Sequence, residues 1–139
     1  MQNSKLTPGN LTILIGGIVG FIASFLPFYS FHGFTVSAWN SSSYLLGNAT
    51  LPAIFGLIMA LHVAGTSFGN VTLPPRVAGF TWNQIHLLLG LQATIMMVAW
   101  LARDKSVLSF GIGFVFMLLA AVALLVGAIM RSREPAPTI

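Results

Sequence analysis

The sequence predicts an all-α membrane protein, a bundle of four transmembrane helices with cytoplasmic termini. Residues 106–130 hold no charged side chain and no polar stripe, and a helix of this length crosses the ~30 Å hydrocarbon layer of a bilayer. Only 6% of the 139 residues are charged, whereas an ordinary soluble domain has about 25%. Three further apolar stretches precede this one. We therefore expect one domain over 1–139, with spans at about 11–28, 41–64, 82–102 and 106–130.

The composition excludes several kinds of chemistry. There is no cysteine, so disulfide exchange, thiolate metal sites and cysteine nucleophiles are excluded. The two acids, Asp104 and Glu134, lie at span ends, so paired carboxylates for acid–base work are absent. The net charge of +4 comes from Lys and Arg near span ends, which favours lipid headgroups over nucleic acid. We expect no catalytic residue, no metal and no cofactor.

The first span carries a strip of small residues. Gly16, Gly20 and Ser24 recur every four residues, which places them on one helix face where another helix can approach closely. Pro27 is expected to end or kink this helix. No Ala-x-Ala-like cleavage site follows, so the helix is expected to be retained rather than removed as a signal peptide.

Aromatic residues dominate the connection after the first span. They extend from Phe28 to Phe34 and include His32, and Trp39 follows. Such residues collect at membrane interfaces, so Tyr29 and Trp39 are predicted to be interface anchors. A ligand platform is the alternative, and the sequence leaves the role of His32 open.

The second span begins with an unusually polar half. Asn48 lies in this half, and Pro52 follows one-third of the way along the span, where it predicts a kink. The polar half lines a cavity or is a helix start in the headgroup region, and the sequence leaves both open. A second strip of small residues follows at Gly56, Ala60 and Ala64.

The third span has a polar face. Thr81 is expected to cap it and Trp82 to anchor it at the interface. Asn83, His86, Gly90, Ala93 or Thr94, and Met97 recur at helical spacing, whereas Gln92 lies on a different face. Polar groups in lipid seek protein partners, so the Asn83 and His86 face is predicted to point into the protein.

The ends of the last span set the topology. A short turn at 103–106 makes the third and fourth helices antiparallel neighbours. Arg131 and Arg133 follow the fourth helix and are predicted to be interface anchors. Lys5, Arg76 and these two arginines lie on one side, against Arg103 and Lys105 on the other. The positive-inside rule therefore favours cytoplasmic termini.

Two histidines are candidate ligands. His62 lies near the end of the second helix and His86 near the start of the third, each about one turn inside the same membrane face. If these helices are neighbours, the imidazoles can approach, which would allow haem or metal ligation or a pH-sensitive pair. The alternative is that each ring bonds to a backbone carbonyl or to water. The sequence does not decide between these roles.

Two short motifs resemble a group of bacterial proteins. Residues 25–29, FLPFY, and residues 37–40, SAWN, are similar to the end of span one and the start of span two in small four-span membrane proteins of high-GC Gram-positive bacteria. Most of these have no assigned activity. The resemblance implies a multi-pass protein of the bacterial cytoplasmic (inner) membrane and transfers no site residue.

We therefore expect a non-enzymatic accessory or structural subunit of a larger respiratory or transport complex. It would pack through the two strips of small residues, and the sequence leaves open whether these face inward or toward another protein. Its partners would be membrane lipids and other membrane-protein subunits, with no nucleic acid. One alternative is a small homo-oligomeric channel or transporter built on the polar half of the second helix and the Asn83 and His86 face. The other is a cofactor-binding protein that uses His62 and His86.

Overall fold

The computed structural model describes residues 6–31, 33–37, 39, 50–102 and 109–134. Four α-helices make up most of this part of the chain: α1 (Pro8–Ala23), α2 (Leu51–Ser67), α3 (Trp82–Ala102) and α4 (Ile112–Arg133). Five short strands lie in the connections: β1 (Tyr29–Phe31), β2 (Phe34–Val36), β3 (Arg76–Val77), β4 (Phe80–Thr81) and β5 (Ser109–Phe110). The protein is helical, as the sequence predicts.

Helices adjacent in the sequence run antiparallel, and α1 also lies antiparallel to α4. At one end of the bundle the backbone amide of Gly9, in α1, donates to the carboxylate of Glu134, just after α4, at 2.8 Å. At the other end the amide of Gly113, in α4, donates to the carbonyl of Pro27 at 2.7 Å. We call the first end, where α1 and α3 begin and α2 and α4 end, the polar end. The opposite end is the aromatic end.

Two of the helices are long and apolar enough to cross a membrane. These are α3 with 21 residues and α4 with 22. The apolar helices α1 and α2 have 16 and 17 residues and are shorter than a typical span.

Three helices differ from their predicted bounds. The fourth span was predicted at 106–130, but Ser109 and Phe110 form β5 and α4 runs from Ile112 to Arg133. α1 ends at Ala23 rather than near 28, because the hydroxyl of Ser24 bonds back to the carbonyl of Phe21 and the chain then turns. Pro27 therefore lies beyond the helix. α2 begins at Leu51, and Pro52 occupies its first turn, where its missing N–H removes no helical hydrogen bond. The kink predicted at Pro52 is therefore not found, and Asn48 lies outside the described residues.

A three-stranded antiparallel sheet lies at the aromatic end, in the order β2–β1–β5. Tyr29 pairs with Val36 on one side and with Phe110 on the other. Gly33 has φ +85°, a left-handed conformation that a tight hairpin turn requires and that glycine adopts without strain. The predicted aromatic connection is thus a hairpin, and it joins the exit of α1 to the start of α4.

The core has two apolar clusters. At the aromatic end the ring of Phe28 meets Trp100 and Phe114 edge-to-face, with centroids 5.7 and 5.1 Å apart. The second cluster lies toward the polar end and combines residues of α1, α2 and α4: Ile13, Met59, Val63, Leu124 and Ala128.

Candidate functional site, a polar cluster at one end of the bundle

Both predicted strips of small residues pack inside this chain. Gly16 and Gly20 face α4, where a Cβ added at Gly20 would lie 3.1 Å from the Cβ of Ala120. Gly17 belongs to neither predicted strip. It lies so close to α2 that a Cβ there would overlap the carbonyl oxygen of Gly56. The backbones of α1 and α2 touch at this point because neither glycine has a side chain.

The remaining strip residues also face inward. Ala60 is buried, a Cβ added at Gly17 would lie 2.6 Å from its Cβ, and Ala64 is half-buried. Ser24 is fully buried, and its hydroxyl accepts a 2.7 Å hydrogen bond from the indole N–H of Trp39. That indole also stacks on Phe25. Trp39 therefore packs on the end of α1, and its ring remains partly exposed.

The polar end holds a cluster of five side chains contributed by all four helices, which we call the polar cluster: Asn10, His62, Asn83, His86 and Arg131. Of these, Asn10, His62 and His86 are buried. A polar group removed from water costs free energy unless it is hydrogen-bonded, so such a cluster is stable only when its members bond one another.

Arg131 connects the first, third and fourth helices. Its Nε donates to the Oδ1 of Asn83 at 2.8 Å, and its Nη1 donates to the Oδ1 of Asn10. The fork of guanidinium donors suits two acceptors on different helices. Arg131, predicted to be an interface anchor, instead turns its side chain into the bundle. Arg133 is exposed, as an anchor would be.

His62 and His86 meet across α2 and α3. Nδ1 of His62 and Nε2 of His86 lie 2.8 Å apart, a hydrogen-bond distance. Nδ1 of His86 is buried and has no partner among the described residues. If Nε2 of His86 carries the proton and donates, the unpartnered nitrogen is an acceptor rather than an N–H. Unpartnered buried N–H groups are the rarer kind, so we assign the donor role to His86.

Trp82 covers the histidine pair. Its indole stacks on the imidazole of His62, with centroids 4.1 Å apart and planes 19° apart. Its N–H donates to the carbonyl of Pro74 at 2.8 Å, which fixes the loop before α3. Thr81 and Gln84 exchange side-chain to backbone hydrogen bonds, so the predicted cap at Thr81 is present and is a capping box.

The two facing nitrogens, Nδ1 of His62 and Nε2 of His86, lie at the distance of a hydrogen bond and not of two ligands on one metal. Two imidazole nitrogens bound to one zinc ion at about 2.0–2.1 Å would lie about 3.3 Å apart at tetrahedral angles, and about 4 Å apart on opposite sides of an ion. The observed 2.8 Å leaves no room for an ion between them. In the described part of the chain, no group of three or more His, Asp or Glu side chains is placed to hold a metal.

The predicted site residues lie in different parts of the structure. His86 is buried in the bundle, and Asn83 accepts a hydrogen bond from Arg131. Tyr29 contributes its backbone to β1, and His32 lies outside the described residues. Asn10 was missed, although one turn into an otherwise apolar helix a carboxamide is itself a signal of an inward polar contact.

No family model, no curated protein and no solved structure matches this chain.

Proposed function

We propose that this chain is a multi-pass protein of the bacterial cytoplasmic membrane and serves as a non-enzymatic subunit of a larger membrane complex. The observation that carries the proposal is how polar and apolar side chains are distributed: the polar cluster bonds internally, whereas the outer faces of α1 and α4 are apolar. An apolar outer surface of this kind is suited to contact with lipid or with other membrane helices. A subunit of this kind contributes a rigid helical unit to an assembly.

The membrane location is supported by what the helices expose. The outer faces of α1 and α4 present large apolar side chains, among them Ile15, Ile22, Ile112 and Leu119, each more than half exposed. Soluble monomers rarely expose apolar surface that is continuous along several helices, whereas lipid-facing surfaces are of this composition. In this arrangement α1 and α2, with 16 and 17 residues, cross a locally thinned bilayer.

The non-enzymatic assignment rests on how the interior is filled. Between the polar cluster and the aromatic end the helices close on one another through the Gly17–Gly56 contact and the two apolar clusters. Such an interior favours a packing role over a substrate path through one copy.

A tagged copy purified from native membranes in mild detergent tests the proposal. We expect a membrane protein of different sequence to co-purify in stoichiometric amount, as identified by mass spectrometry. Gly17→Leu, which separates α1 from α2, should lose that partner, and the matched control Gly65→Ala, which meets only ordinary contacts, should retain it. A chain that purifies alone and conducts solutes in liposomes would replace the proposal with the homo-oligomeric channel. A haem absorption band would instead favour the cofactor alternative.

A further inference from the structure

Helix α3 carries a polar side chain on its outer face. Gln92 is exposed, and its carboxamide has no hydrogen-bond partner among the described residues. The residues around it on this face are apolar and exposed: Leu88 at 52% and Ile95 at 52%. The glutamine is thus a lone polar group on an apolar surface.

The position of Gln92 along the helix makes this costly in a membrane. It lies midway along α3, ten residues after Trp82 and ten before Ala102. At a rise of 1.5 Å per residue it is about 15 Å from either end, which is the middle of a ~30 Å hydrocarbon layer. A carboxamide there has no water to bond, and it is stabilised when another helix supplies a partner.

The surrounding residues form a seam with the spacing of a helix–helix contact. Leu88, Gln92, Ile95, Ala99 and Ala102 follow at intervals of four, three, four and three residues, and all are exposed. This is the a/d pattern of a coiled coil with one polar residue at an a position, which in coiled coils specifies register and partner number. The alanines at one end allow the two backbones to approach closely.

We propose that a second copy of this chain docks on this seam, with α3 parallel to α3 and the two Gln92 side chains hydrogen-bonded to each other. Two copies inserted with the same topology place Gln92 at the same depth, and a two-fold axis along the membrane normal brings identical positions together. A carboxamide both donates and accepts, so it is complementary to itself. The proposal rests on the membrane location proposed above and adds a contact between copies.

Disulfide cross-linking tests the contact directly, because the chain contains no cysteine. Single cysteines are introduced on the seam, by Leu88→Cys and Ile95→Cys, and away from it, by Leu101→Cys on α3 and Leu119→Cys on α4. The last two are controls, since Leu101 is 45% exposed about 140° around the helix from Leu88 and Leu119 is 60% exposed on another helix. Membranes are oxidised without prior solubilisation, and covalent dimer is measured on non-reducing gels.

We expect dimer at the two seam positions and little at the two controls. Gln92→Leu should weaken dimerisation in detergent about tenfold, the equivalent of one interhelical hydrogen bond, and Gln92→Asn should retain it. Equal cross-linking at all four positions, or no effect of Gln92→Leu, would overturn the contact and leave the membrane location standing. Release of the protein from membranes by alkaline carbonate would overturn both the contact between copies and the membrane location.

Discussion

The imidazoles of His62 and His86 share one hydrogen bond 2.8 Å long between two helices, and the indole of Trp82 lies flat against the first of them. The pair is part of a cluster in which Arg131 reaches the carboxamides of Asn10 and Asn83. The cluster joins the four helix ends at this end of the bundle. We therefore expect that substituting its members one at a time lowers the free energy of unfolding.

The coupling between the two histidines can be measured. A double-mutant cycle of His62→Ala and His86→Ala should give a coupling free energy of about 0.5–2 kcal/mol, the range found for hydrogen bonds between membrane helices. The measurement is reversible unfolding in mixed micelles. The control cycle pairs His86→Ala with Ile22→Ala, which lies exposed on α1 and should show no coupling. Coupling of equal size in both cycles would contradict the hydrogen bond.

Arg131 and Arg133 provide a matched pair of substitutions on one helix end. Arg131→Met should lower the free energy of unfolding by about 1–3 kcal/mol, because it leaves two carboxamide oxygens without their donor. Arg133→Met, at an exposed position, should change it by less than about 0.5 kcal/mol. Arg131→Lys should recover part of the loss, since it keeps the charge and loses the fork of donors. Similar losses of unfolding free energy at both arginines would show that the effect comes from the change in net charge and not from the hydrogen bonds of Arg131.

A glycine inside the contact between α1 and α2 and a glycine outside it are predicted to differ in their tolerance of alanine. Gly17→Ala should destabilise the bundle by about 1–3 kcal/mol, because the added methyl overlaps the backbone of Gly56. Gly65→Ala, also within a helix, meets only ordinary contacts at 3.6 Å or more and should be neutral or stabilise by up to about 1 kcal/mol. Both are read from thermal unfolding in detergent. Stabilisation by Gly17→Ala would show that the two helices are farther apart.

The loop between α2 and α3 contains a trypsin site that reports the orientation of the chain in the membrane. Arg76 is exposed in the β3–β4 hairpin at the polar end, and its guanidinium bonds to the carbonyl of Gly79. With cytoplasmic termini, trypsin should cut after Arg76 in inverted vesicles and leave it intact in spheroplasts. Trp82→Phe should speed the cut, because the loop loses its hydrogen bond at Pro74. Cleavage in spheroplasts alone would reverse the topology.

The sequence predicted the helices better than their connections. Helix α3 is predictable from its apolar length and from the cap at Thr81. The strands β1 and β2 were missed, although aromatic and β-branched residues on either side of a His-Gly pair are typical of a hairpin. In a membrane protein the same aromatic residues also indicate an interface, and composition alone does not separate the two.

The candidate site was predictable only in part, because the sequence does not show which helices pack against one another. Periodicity places His86 and Asn83 on one face of α3, and it says nothing about which other helices meet that face. Asn10 and Arg131 are 121 positions apart, so their contact depends on the packing of α1 against α4. A terminal arginine is ordinarily an anchor, and only tertiary structure shows that this one turns inward.

The polar cluster also determines when the bundle can be fully assembled during synthesis. Three of its helices are made before Arg131 leaves the ribosome, so a nascent chain at that stage has both histidines of the pair but holds the carboxamides of Asn10 and Asn83 without the guanidinium that bonds them. The bundle reaches its full set of hydrogen bonds only when α4 is complete. We therefore expect a chain terminated early in α4 to be degraded more readily than a chain completed through Arg131, because two carboxamides lack their guanidinium donor.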